Sequence, residues 1–246
     1  MIGSEVLSMD QFGTPQQQQP AWISASTAEM ETRERAFFRS VYGWMFAGLL
    51  LTAMTSFAVT QSVALKQLVL GTGLFWVLAL VEIGLVFFLS LRITKMSAGT
   101  ASVVFLAYSL LNGLTLSGIF FHYTQASVVN AFLGASAMFG GMAIYGAVTK
   151  RDLTSWGSFF MMGLMGVLLM MVINIFMHSS AIDFTISVVG IFVFLGLTAY
   201  DNQKLKVYAH AGGGLQSNLA IIGALRLYLD FVNLFLMLLR LFGRRR

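Results

Sequence analysis

Residues 215–242 read LQSNLAIIGALRLYLDFVNLFLMLLRLF. As a helix this run is long enough to cross the ~30 Å hydrocarbon layer of a bilayer. It also carries Arg226, Asp230 and Asn233, spaced i, i+4 and i+7, which puts the three on one helical face. An ionisable stripe is costly against lipid, so this helix must be surrounded by others or line a cavity. The segment therefore predicts a packed bundle.

The rest of the chain supplies the partners. Of 246 residues, 57% are hydrophobic and 10% charged, whereas a soluble domain carries about 25% charged residues. Further apolar segments lie at 41–60, 66–91, 98–121, 126–148, 156–177 and 181–203. Lengths near ~20 residues select helices, because in lipid the backbone must satisfy its own hydrogen bonds. The expected fold is an all-α membrane protein, a bundle of seven transmembrane helices spanning residues 36–243. Residues 1–35 are expected to be a polar, largely disordered cytoplasmic tail, turning helical around Glu29–Arg39, and residues 244–246 a basic C-terminal tail. The N-terminal tail lacks the basic and apolar regions of a signal peptide. Both prolines, Pro15 and Pro20, sit in it, so the spans carry no proline kink. Ser136/Gly140, Ala137/Gly141 and Ala143/Ala147 are small-residue pairs that predict close helix contact in the fourth span.

The net charge of +5 is distributed as topology signals. Arg33, Arg35 and Arg39 precede the first span; Arg92 and Lys95 follow the second, Lys150 and Arg151 the fourth, Lys204 and Lys206 the sixth. The opposite loops carry only Lys66. The positive-inside rule then places the N-terminus and the basic loops in the cytoplasm. Arg244–Arg246 run against this pattern, since seven crossings leave them outside. Either they are outvoted, or the sixth or last segment returns on one side; full crossing is the expectation. No basic patch with interleaved aromatics occurs, which argues against a nucleic-acid partner.

Little else suggests chemistry. With no cysteine there is no disulfide or thiolate site. Met161, Met162, Met165, Met170 and Met171 read as packing or lipid contact, and His122 and His178 as interfacial residues at helix ends. Gly212–Gly214 reads as a flexible turn. No Ser–His–acid grouping or zinc-protease motif appears, and the expectation is a protein that is not an enzyme and carries no cofactor.

Three of the ten acidic residues fall within apolar segments: Glu82, Asp201 and Asp230. Asp201 and Asp230 lie on consecutive spans, and tilt, or a sixth helix extended beyond the membrane, would let them meet. Two close carboxylates in a low-dielectric site cannot both ionise cheaply and titrate as a unit. A shared proton would hold the two helices together, and its loss would separate them. The same oxygens attract calcium, as a weak transit site given so few fixed donors. Arg226, one turn from Asp230, is expected to pair with it and favour its charged form. These residues point to a proton- or cation-responsive element and leave channel, transporter and sensor open.

YLDFVNLF (228–235) followed by LLRLFG (238–243) resembles the last-helix signature of the Bax inhibitor-1 (transmembrane Bax inhibitor motif) family. AYDNQ (199–203), YGWMFAGLLLT (42–52) and Glu82 in VEIGLVF are similar to motifs of its sixth, first and second helices. The resemblance covers about residues 30–243. It implies a seven-helix bundle whose last helix is enclosed by six others, and a pH-sensitive calcium leak in which Asp201 and Asp230 share a proton. It also implies a basic residue near the end of the second helix that engages this pair; Arg92 is the candidate, with Ile93 as the other position the spacing allows. The competing implication is a non-transporting modulator that binds another membrane complex: some bacterial relatives restrain a membrane-bound AAA protease, and eukaryotic relatives suppress cell death. The expected location is the bacterial inner membrane.

Overall fold

In the computed structural model, which describes residues 21–210 and 215–246, every apolar segment is helical. The helices are α1 (Ala21–Gln61), α2 (Val63–Leu70), α3 (Leu74–Arg92), α4 (Ala98–Leu116), α5 (Ile119–His122), α6 (Gln125–Val148), α7 (Thr154–Met177), α8 (Ser180–Ala209) and α9 (Gln216–Phe242). A 3-10 turn, Ile93–Lys95, follows α3. Among the described residues seven helices are long and apolar enough to cross a membrane, and no strand forms. The chain is a multi-pass, all-α membrane protein.

Three boundaries differ from expectation. α1 starts at Ala21, inside the tail expected to be largely disordered, because no glycine or proline interrupts residues 21–42 and the helix extends outward from the apolar span. The expected second segment is divided at Gly71–Gly73 into the short α2 and the spanning α3. α8 continues past Gln203 to Ala209. Residues 1–20 and the Gly212–Gly214 turn lie outside the described residues.

α9 is the axis of the bundle. It packs on α8, α1, α6 and α4, while α3 leans on α4 and α7 on α8. The most apolar stretch of α9 is 78% buried, against 6% for those of α3 and α7. Enclosure is incomplete on one side only: Arg226, Leu229, Asn233, Leu236 and Arg240 stay half-buried. Their spacing of three and four makes them a single stripe.

Contacts at its two ends fix the path of α9. Near its start, Asn218 Nδ2 donates to the carbonyls of Ile93 and Met96, both at 2.7 Å. At the same end Gln203 holds the α6–α7 loop, accepting from Leu153 N at 2.8 Å and donating to Arg151 O at 2.6 Å. At the other end Arg245 forms an antiparallel bridge with Tyr123, and Arg244 N donates to Ser127 Oγ at 2.9 Å. Arg240 and Arg245 both reach Asp183, at 3.3 and 3.5 Å. The sixth and seventh segments therefore run from one end of the bundle to the other without turning back, and Arg244–Arg246 end opposite the basic loops. Asp183 gives one of the contrary arginines, Arg245, a local counter-charge.

At the mouth of α7, Asp152 Oδ1 accepts from Thr154 N at 2.9 Å. Hydrogen bonds to Thr154 hold this exposed carboxyl below its ordinary pKa, so the contact stabilises the ionised form and weakens as pH falls through that value.

Close approach in the fourth span occurs at Gly146, outside the three expected small-residue pairs. A Cβ on Gly140 or Gly141 would meet nothing, whereas one on Gly146 would strike the backbone carbonyl of Ala199 on α8. Gly146→Ala should thus cost roughly 1–3 kcal/mol by overpacking, while Gly140→Ala should be neutral or stabilising through helix propensity. Thermal unfolding in detergent checks this, and equal midpoints for the two variants would contradict the assignment.

Candidate functional site

The stripe that α9 leaves open faces a cavity of about 540 Å³ between α3, α4, α7, α8 and α9. Each wall is a helical face with chemistry placed by spacing. Phe194, Leu197 and Asp201 follow one another along α8; Arg226, Leu229, Asp230, Asn233 and Leu236 do so along α9; Ala79, Glu82, Val86 and Ser90 do so along α3. The three intramembrane acids, from three helices, thus line one space. Asp201 and Asp230 are nearly inaccessible, at 7% and 5% exposure, and Glu82 is at 9%.

The pairing inside the cavity differs from the expected one. Arg226 Nη1 bonds Asp201 Oδ1 at 3.2 Å, reaching across to α8 instead of along its own helix to Asp230. No hydrogen bond joins Asp201 to Asp230 among the described residues; the guanidinium holds one of the two Asp201 oxygens. Asp230 Oδ2 is buried without a hydrogen-bond partner. Leaving such an oxygen unsatisfied costs about 1–3 kcal/mol, and groups of this kind are retained where function requires them. Asn233 turns back to its own helix, Nδ2 donating to Leu229 O at 2.8 Å.

Glu82, by contrast, is fully engaged. Its Oε2 accepts from Asn112 Nδ2 and its Oε1 from Thr115 Oγ1, both at 2.9 Å, tying α3 to α4. The chain of bonds continues inward: Tyr228 Oη donates to Asn112 Oδ1 at 2.9 Å and lies 2.6 Å from Thr52 Oγ1, which donates to Ser109 O at 2.8 Å. One polar network therefore crosses α3, α4, α9 and α1. Sequence reading did not select Asn112, Thr115, Tyr228 or Thr52; the available signal was an amide at 112 within the apolar run LLNGL. Beside Asp201, Asn202 accepts from the Tyr42 hydroxyl at 2.5 Å, anchoring this part of α8 to α1.

Arg92 is not brought to the site. It is exposed and is not part of the cavity wall, while Ile93 is buried with its carbonyl bonded to Asn218. A step of one residue rotates a helical side chain by about 100°, which carries position 92 away from the interior. Arg226 is the cation that engages an aspartate. His122 and His178 are exposed at helix ends; Met161 and Met171 line the cavity, and the exposed Met162 and Met165 border a neighbouring hollow. Among the described residues no three His, Cys, Asp or Glu side chains are grouped as a metal cage, so calcium would find a sparse set of oxygens.

The network and the orphaned oxygen predict opposite responses. Tyr228→Phe leaves Asn112 and Thr52 short of a partner and should lower stability by about 1–3 kcal/mol. Asp230→Asn should leave stability unchanged or raise it, since a neutral amide is cheaper to bury than a carboxylate. Chemical or thermal unfolding of both variants checks the contrast, which fails if Asp230→Asn is the more damaged.

Comparison with known proteins agrees with this architecture. The family model described as "Inhibitor of apoptosis-promoting Bax1" matches residues 34–246. The inner membrane protein YbhL of Escherichia coli (strain K12) is 44% identical over 220 residues, covering 86% of this chain and 93% of its own. Uncharacterized proteins of Deinococcus radiodurans and Borreliella burgdorferi are 42% and 40% identical, covering 86% and 85% of this chain and 91% and 92% of theirs. The match takes in all seven spans and the three acids that line the cavity, and the chain belongs to the Bax inhibitor-1 family.

Proposed function

We propose that this chain is a pH-sensitive calcium leak channel of the bacterial inner membrane, its N-terminus cytoplasmic, gated at Asp201 and Asp230. The observation that carries this reading is the convergence of Glu82, Asp201 and Asp230 on one cavity, where Asp230 keeps an unpartnered oxygen. Asp201 has two competing partners in reach of its helix face. When ionised it pairs with Arg226; when protonated it can share its proton with Asp230, drawing α8 onto α9. Calcium is the cargo. It competes with Arg226 for carboxylate oxygen and passes on because few donors hold it. The Escherichia coli relative is an inner membrane protein, which supports the location.

A second reading has its own observation. α1 is 41 residues long, about 62 Å as a helix, roughly twice the hydrocarbon thickness. Its early part carries Glu29, Glu31, Arg33 and Arg35 exposed at the basic end of the bundle, where Glu34 meets His210 at 3.9 Å. Such a rod suits a non-transporting modulator that contacts a membrane-bound AAA protease or another membrane complex. Removing residues 1–30 and losing a cellular phenotype while flux persists would favour it.

Calcium flux into liposomes, measured across pH, tests the leading reading. Wild type should conduct in a pH-dependent manner, Asp201→Asn and Asp230→Asn should lose that dependence, and Arg226→Ala should move its midpoint. Identical curves for wild type and both aspartate variants would overturn the channel assignment.

A further inference from the structure

α3 and α7 are the two most lipid-exposed spans, and no packed interface closes the space between them. Ile83 and Phe87 on one lip and Met161 and Leu168 on the other are 55%, 62%, 46% and 46% exposed, yet the same residues line the cavity. The cavity therefore has a lateral seam at bilayer depth, with apolar lips and Leu229 and Leu236 of α9 at its back.

At the basic end of the bundle the seam leads into a second hollow of about 410 Å³, which shares Met161 and Arg226 with the first and is lined also by Ser158, Tyr200 and Lys204. Arg226 is turned to Asp201. Lys204 is not: its Nζ donates to the Tyr200 hydroxyl at 3.4 Å and forms no ion pair among the described residues. A cation held in no ion pair, with Asp201 of its own helix already bonded to Arg226, thus stands where an apolar slot meets the polar boundary. From Arg226 to Leu236 the slot runs ten residues of α9, about 15 Å. That is half of the ~30 Å hydrocarbon layer, the depth of one leaflet. A free anion would suit Lys204 but not the slot; a lone hydrocarbon would suit the slot but not Lys204.

We infer that the seam between α3 and α7 holds one phospholipid of the leaflet at the basic end, its acyl chain along Leu229 and Leu236 and its phosphate at Lys204 and Ser158. The chain covers the one stripe of α9 that the protein leaves open, and so excludes water from the lipid side of the aspartates. This binding does not depend on the leak reading and goes beyond it.

Native mass spectrometry of the full chain, purified in detergent with added phosphatidylglycerol, tests the inference. Wild type should retain one phospholipid. Leu229→Trp, which fills the slot, should lower the retained fraction roughly tenfold through lost apolar contact, and Lys204→Gln by about threefold through a lost charge contact. Leu169→Trp, on the lipid-facing side of α7 (60% exposed) and about 100° around the helix from the lip residue Leu168, should retain it as wild type does. If Leu229→Trp does not purify as a folded species, Leu236→Phe takes its place at the far end of the slot. No retained phospholipid in wild type, or equal retention in the slot variant and Leu169→Trp, overturns the proposal. Unchanged retention in Lys204→Gln overturns the placement of the phosphate.

Discussion

A charged side chain cannot be left against hydrocarbon, and α9 carries two ionisable residues and an amide on one face. The rest of the molecule is arranged around that fact. Four helices bury three sides of α9, and its remaining side, the one with Arg226 and Asn233, opens onto an internal cavity. Without a hydrophobic force between helices in lipid, close packing and polar contacts must hold such a bundle. Both are present: Gly146 lets α6 touch the backbone of α8 at Ala199, and the bonds from Glu82 through Asn112 and Tyr228 to Thr52 join four helices.

The same constraint separates the helices into two groups. α9 and α8 are largely interior and carry the ionisable groups; α3 and α7 are peripheral and mostly lipid-facing. Glu82 is the exception on α3, and both its oxygens are bonded across to α4. The periphery is loose where the core is tight, because α3 and α7 each lean on one main neighbour. A cavity with a lateral opening follows from that division.

Within the site the two aspartates are treated unequally. Asp201 has a guanidinium, while Asp230 is more deeply placed with an oxygen unsatisfied. A buried carboxylate without a partner lowers stability, and the network through Tyr228 on the same helix offsets such a cost by fixing α9 in place. The two carboxyls thus stand in unequal environments, one ion-paired and the other with an oxygen unpartnered.

Local chemistry was legible in the sequence wherever it depended on composition and helical period. Seven spans, their helical nature, the enclosed last helix and the identity of the three intramembrane acids all follow from apolar run length and from the spacing of Arg226, Asp230 and Asn233, because lipid penalises any exposed backbone or charge. What faced what was not legible. The side chain of Arg226 can reach a carboxylate one turn away or one on the next helix, and only the packing of α8 on α9 selects Asp201. Arg92 points outward because one helical step separates it from the buried position. The arginines at the C-terminus run against the charge rule, and only the fold shows that Asp183, distant in sequence, is the partner of Arg245. Pair choice and cavity shape are decided by the relative rotation of helices, a property that no single segment contains.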